Sequence, residues 1–200
     1  MTPAEIHAYI VERMPEAVTG FDGEAAQPAI LVDRESLLEL ALFLRDDEAL
    51  RFDRLLVISG IDWEGYDENG KGKHRKIAQY EEDGKPGDPG APGTGDLGLI
   101  WFLHSMDHRH AITLKARMPR DDAHVPSVSP VWPTASWLER ETFDFYGIDF
   151  TGHADLRRIL LPEDWEGHPL LKDYAMPARY HDVPLEGLPL AAREDREGAQ

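Results

Sequence analysis

His153, Asp155 and His168 put two imidazoles and a carboxylate into one short stretch of chain. In an extended segment residues 153 and 155 fall on the same side. Two histidines and a carboxylate are the ligand set of metal centres that activate water or oxygen. That chemistry describes a small metallohydrolase or oxygenase. Nothing else in the sequence supplies a substrate pocket for it. The competing role is plainer: each imidazole donates to a backbone carbonyl and pins a turn. A second cluster, HSMDHRH, gathers His104, Asp107, His108 and His110. A metal needs two or three of them to converge. The competing reading is a polar hairpin tip, with His104 and His110 facing each other across the strands. GTGDLG at 93–98 matches G-x-G-x-x-G. A dinucleotide site requires that pattern to follow a strand and open a helix. Here it follows a Gly/Pro-rich loop and opens a strand, so no nucleotide site is expected.

Ionisable groups are closely mixed with large apolar ones in WLERETFDFYGIDFTGHADLRRILL, Trp137 to Leu161. Pro133 suits a first helical turn and Gly147 the left-handed residue past a helix end. Between them the spacing aligns Ala135, Leu138, Thr142 and Phe145 on one face. Trp137, Glu141 and Asp144 align on another, beside Arg140. Arg140 and Asp144, four apart, are placed to pair. Asp144 lies in the last turn, where the helix dipole disfavours an anion. It therefore calls for a cation, and Arg157 and Arg158 are the nearest across the Gly147–Gly152 bend. The expectation is a segment that folds back and pairs with the helix. Removing Asp144 should then cost about 1–3 kcal/mol if the pair is buried. Charge fused with aromatic side chains, beside an extended segment rich in anchors, suits a protein contact better than a solvated face.

These groups need a frame. Residues 4–14 read as a helix with Ile6, Ile10, Val11 and Met14 inward, started by Thr2-Pro3. Strands come next at 18–21 and 29–32. Asp33 then caps a helix with Leu37, Leu38, Ala41, Leu42 and Leu44 inward. LLVIS, within 51–63, reads as a buried strand. Residues 97–105 and 110–118 alternate around a turn at 106–109, an antiparallel hairpin. The order α-β-β-α-β-β-β predicts an α+β fold, a two-layer domain with a mixed sheet over residues 1–119. A polar stretch at 64–80 and a Gly/Pro-rich excursion at 81–96 interrupt that sheet. One helix and a long extended C-terminal segment occupy 120–183, then a flexible tail 184–200. The extended part has little backbone pairing to sustain it. Its leucines and aromatics up to about residue 174 argue that it lies along a surface.

Composition narrows the function. The chain has 200 residues, 38 acidic against 21 basic, and a formal net charge of −17. Such a surface repels phosphate backbones and anionic lipid, so no nucleic-acid partner is expected. No run approaches the ~18–20 apolar residues of a membrane span. The start carries no basic-then-apolar leader, which makes the cytoplasm the default expectation. With no cysteine, this chain has no thiolates for an iron–sulfur cluster. An acidic adaptor for a basic partner is a further reading, and salt would dissolve that contact.

ASWLERETFDFYGIDFTGHADLRRIL, followed by PEDWEGHPLLKDY, resembles the signature of the C subunit of the respiratory NADH–quinone oxidoreductase, complex I. The likeness spans about residues 126–174, with PSVSPVWPTASW fitting the entry to the helix. It departs at Ala154, where the family has proline, at Leu171, where it has arginine, and at Phe145-Tyr146. The loss of arginine at 171 removes one charge-assisted contact. The resemblance implies a peripheral-arm subunit, without a cofactor of its own, on the cytoplasmic side of the inner membrane. Its neighbours would be other arm subunits, chiefly the large quinone-site subunit. FMN, iron–sulfur clusters, NADH and quinone would be bound elsewhere in the complex. Related subunits serve membrane-bound hydrogenases and dehydrogenases with other donors. By resemblance, the motif positions are Glu139, Arg140, Glu141, Asp144, Gly152, His153, Asp155, Arg157, Arg158, His168, Pro169, Lys172, Asp173 and Tyr174. They are expected to fold and dock the extended segment, not to catalyse.

Overall fold

The computed structural model describes residues 1–63, 96–177 and 179–185. The polar stretch at 64–80, nearly all of the Gly/Pro excursion and the last residues of the chain lie outside this set. Helix α1 spans Pro3–Arg13. Thr2 and Glu5 close a reciprocal capping box, Thr2 Oγ1 accepting from the Glu5 amide and the Glu5 carboxylate from the Thr2 amide. That arrangement satisfies two otherwise orphaned amides and fixes the start of the helix. Strands β1 (Val18–Asp22) and β2 (Ala29–Val32) form a hairpin. Helix α2 covers Leu37–Asp46, then β3 (Arg54–Asp62), β4 (Leu97–Ser105) and β5 (His110–Met118) complete the sheet. Its order is β1-β2-β5-β4-β3, with only β2–β5 parallel among these pairs. The mixed α+β sheet expected from the pattern is therefore present.

Alternation along β3, β4 and β5 sets the two faces. The register aligns Ile58 with Trp101 and Leu114, and Leu55 with Leu103 and Ile112, on the inner face. These residues join Ile6 and Ile10 of α1, and Leu37, Leu40, Ala41 and Leu44 of α2, in the buried core. Two inward assignments are corrected here. Val11 and Leu42 are exposed, and Leu40 occupies the core in place of Leu42. LLVIS is not buried on both sides either. A bulge between Leu55 and Val57 leaves Leu56 and Val57 exposed on the edge strand, as edges that must resist further pairing often are. Asp33 does not cap α2. Its carboxylate accepts from the Ser36 amide and hydroxyl, shaping a turn one step earlier.

Beyond Met118 the chain makes a 3-10 turn at Arg120–Asp122 and β6 (His124–Pro126). Helix α3 then covers Ala135–Tyr146, followed by β7 (Asp149–Thr151), which pairs in parallel with β6. The Trp132 indole N–H donates to the Phe52 carbonyl at 2.8 Å and ties this region to the first layer. Gly60 admits a second contact, from α3: a Cβ there would collide with the Tyr146 ring. Strands β8 (Arg179–Tyr180) and β9 (Val183–Pro184) form a small hairpin. The segment after Gly147 is thus not wholly irregular, although its paired stretches are too short to leave a periodic signal.

Candidate functional site

Helix α3 buries the residues that polarity would place in water. Ala135, Glu139, Arg140, Thr142 and Asp144 form its buried set, while Trp137 is 65% exposed. Of the expected face, Ala135 and Thr142 are buried and Leu138 packs on the core, whereas Phe145 lies outside the core cluster and Glu139, Arg140 and Asp144 are buried as well. The reason is that polar partners come to the helix from segments distant in sequence.

Asp144 is fully buried. Its carboxylate accepts from the Arg158 guanidinium at 2.8 Å and from the amides of Ile159, Leu160 and Leu161 at 3.1, 2.8 and 2.9 Å. Burial alone would raise its pKa, but the three amides and the guanidinium together hold it below the usual carboxylate range. The Asp144 carbonyl accepts from His168 Nδ1 at 2.9 Å. Gly147, in the left-handed region at φ 72°, closes the helix. A Cβ there would approach the His168 ring to 2.6 Å, so glycine is required twice over. The fold-back onto Arg158 is as the charge pattern predicts. The Arg140–Asp144 pair is not: Arg140 Nε donates to the Arg157 carbonyl at 3.2 Å, and its guanidinium lies 3.8 Å from Asp155 and over the Trp137 ring. Arg157 itself pairs with Asp155 on the surface.

Further along, the segment returns to the sheet. The Leu170 amide donates to the Phe145 carbonyl, and the Lys172 amide to the Asp62 carboxylate at 2.8 Å. Arg120 bridges Asp62, at 2.6 Å, and Asp173, at 3.2 Å. The Tyr174 hydroxyl donates to the Glu166 carbonyl over Gly167. Pro169 is half-buried beside His168, while Glu141 and Gly152 face solvent. Asp62 and Arg120 were not singled out from the sequence. The available signal was alternation, which puts Asp62 on the inner face after Ile58 and Gly60, where a carboxylate demands a cation.

Glu139 is also fully buried, between Ser127 and His153. It accepts from Ser127 Oγ at 2.6 Å and from the Val128 amide at 2.7 Å. Burial pushes its carboxyl up to about 7 against these two hydrogen bonds.

The histidines do not converge on a metal. His153 Nε2 lies 3.1 Å from the Ser136 carbonyl, and its Nδ1 accepts from the Asp155 amide. With His168 on the Asp144 carbonyl, both rings pin backbone, as the plainer reading has it. At the hairpin tip, His108 and His110 bind the carbonyls of Glu48 and Leu50, and Asp107 pairs with Arg51. His110 stands opposite Ser105 and His104 opposite Ala111, so the two histidines do not face each other. Among the described residues no three His or carboxylate groups are gathered to hold a metal. In GTGDLG the first three residues lie outside the described set. Asp96 pairs with Arg117, and Leu97 opens β4 and not a helix.

Fold and site together define a two-layer α+β protein whose last helix seats a long C-terminal strap on buried carboxylates. Residues 30–180 match the family model described as the respiratory-chain NADH dehydrogenase, 30 Kd subunit. Relatives named as the C subunit of NADH-quinone oxidoreductase are similar over most of the chain. The protein of Acidothermus cellulolyticus is 38% identical over 94% of this chain and 79% of its own length. That of Chlorobium phaeobacteroides is 36% identical over 86% and 88%. That of Chloroherpeton thalassium is 35% identical over 87% of this chain, which spans 61% of the relative. The chain belongs to this family. Two solved structures share the fold at 21% identity. One is the trypsin-resistant fragment of Nqo5, with a TM-score of 0.52 over 76% of this chain and 98% of that one. The other is a chain of the membrane-bound sulfane sulfur reductase, an archaeal respiratory membrane complex, with a TM-score of 0.60 over 86% and 85%. No helix among the described residues is long and apolar enough to cross a membrane.

Proposed function

We propose that this chain is a peripheral-arm subunit of an NADH:quinone oxidoreductase that carries no cofactor of its own and acts by position. The carrying observation is the strap. Buried Asp144 and Asp62 hold its backbone in place, and along it and α3 the side chains of Trp137, Leu160, Leu170 and Met176 stand 49–65% exposed. Apolar anchors displayed on a backbone fixed by buried ion pairs are suited to a preorganised protein contact. The partner is the large subunit that forms the quinone site, together with other arm subunits. In the complex, electrons pass from NADH through FMN and iron–sulfur clusters held by other subunits to quinone, coupled to ion translocation. The protein works on the cytoplasmic side of the inner membrane, held there through its partners. The isolated chain has no catalytic activity, and the motif residues from Glu139 to Tyr174 serve folding and docking.

Affinity purification of the tagged chain from native membranes tests this reading. It should bring down the quinone-site subunit with NADH-oxidising modules, and Leu160→Asp with Leu170→Asp should lose that subunit while leaving the free chain folded. Recovery with a hydrogenase module instead would reassign the electron donor. Recovery alone, with stoichiometric metal bound, would overturn the proposal.

A further inference from the structure

Glu139 stands apart from the other buried carboxylates of the chain. Asp144 and Asp62 each meet an arginine. Among the described residues, the one ion-pair contact of Glu139 is with His153 Nε2, at 3.9 Å, and both side chains are at most 1% exposed. His153 turns its Nε2 to a backbone carbonyl nearer than this carboxyl. Its Nδ1 already accepts from the Asp155 amide at 3.0 Å, which leaves the hydrogen on Nε2, 3.1 Å from the Ser136 carbonyl. The loop packed on the carboxyl offers the Ser127 hydroxyl and the Val128 amide, with the Ser129 hydroxyl behind Ser127, and no charge. On the same helix, Arg140 is turned to Arg157 and Asp155, and Asp144 to the strap. The carboxyl thus lies where three pieces meet: it is carried by α3, hydrogen-bonded to the 127–129 loop, and 3.9 Å from His153 of the turn that begins the strap at Gly152–Asp155.

We propose that Glu139 is a proton-operated latch, protonated when the loop, α3 and the Gly152–Asp155 turn are closed on one another and ionised when they part. Closure removes the carboxyl from water while hydrogen-bonding it only to a neutral hydroxyl and amide, so the closed state favours the neutral form. In the opened state water solvates the carboxylate, and opening releases a proton. The sign comes from linkage. With the closed-state value at about 7 and the solvated value at 4.5, opening is insensitive to pH below 4.5. It grows about tenfold per pH unit between the two values, roughly 300-fold in all, and levels off above 7.

The test is amide hydrogen exchange on the full chain from pH 5 to 8, read as protection factors so that the intrinsic base dependence divides out. The Val128 amide reports the carboxyl and the Asp155 amide reports the turn. Both should lose protection together as pH rises towards 7. The Ile159–Leu161 amides, seated on Asp144, serve as the internal control and should stay level. Glu139→Gln should flatten both responses. A wild-type readout keeps the idea exposed if that variant misfolds: the side-chain carboxyl carbon of Glu139, followed by NMR, should titrate near 7. A midpoint near 4.5 overturns the proposal, as does a pH response that survives in Glu139→Gln, or a Val128 response that Asp155 does not share.

Discussion

At the scale of single residues, Asp144 and Glu139 occupy one helix and push stability in opposite directions with pH. The Asp144 value is depressed by the Arg158 guanidinium and three amides acting against burial. Its contribution is therefore present above the ordinary carboxylate value and lost as pH falls through its folded value. Glu139 is raised to about 7. Its contribution is complete below 4.5 and lost as pH rises through 7, a difference of about 3 kcal/mol. Asp144→Ala leaves Arg158, whose side chain is 16% exposed, facing three unpaired amides. It should cost about 3–5 kcal/mol in urea unfolding at pH 7. Asp144→Asn should restore part of this at pH 7 and unfold with a shallower acid limb than wild type. An acid limb unchanged by Asp144→Asn would show that other carboxylates govern the low-pH transition.

At the scale of elements, two glycines set how α3 meets its neighbours. Gly60 on β3 makes room for the Tyr146 ring, and Gly147 ends the helix under His168. Gly60→Val should lower stability by about 1–3 kcal/mol through overpacking, and Tyr146→Ala in the same chain should recover part of the loss. Gly147→Ala adds left-handed strain at φ 72° to a collision with His168. It should cost more than the ~1 kcal/mol of the strain alone, and His168→Ala should relieve only the collision. Thermal melts of the four variants give both comparisons. The boundaries of α1, β4 and β5 were legible in the sequence. Residues 97–105 and 110–118 follow their alternation, and α1 follows its capping box. Asp33 and LLVIS departed from expectation because a turn from Asp33 to Ser36 delays the helix and a bulge between Leu55 and Val57 shifts the strand. Leu42 was misassigned because periodicity permits neighbouring stripes and only the packed sheet chooses between them.

At the scale of the whole molecule, a net charge of −17 coexists with a strap held by buried ion pairs and exposed apolar side chains. A contact made through those anchors should survive rising ionic strength, whereas an acidic adaptor's contact should dissolve. Co-purification at about 0.1 and 0.5 M salt separates the two, since the Debye length shrinks severalfold towards 1 M. Limited proteolysis addresses the strap. In the free chain, cleavage should begin beyond Lys172 and Asp173, the last residues held at Asp62 and Arg120, and partner binding should extend protection C-terminally. Cuts within 157–161 of the free chain would show that the Asp144 seat does not hold alone.

The sequence by itself determined the α-β-β-α-β-β-β order of the first seven helices and strands, the mixed α+β class, the charged helix and the need of Asp144 for a cation beyond the Gly147 bend. These arise from interactions that are local or repeat along the chain: period, caps, dipole and turn residues. It also carried the family signature in its ordered run of motif residues. Tertiary structure alone decided that Glu139 is buried without a cation, that Arg140 turns away from Asp144, and that Asp62 and Arg120 receive the strap near Lys172 and Asp173. Each of those depends on which distant backbone amide or guanidinium arrives within about 3 Å, the reach of a hydrogen bond. Spacing along a chain does not encode that distance; packing does.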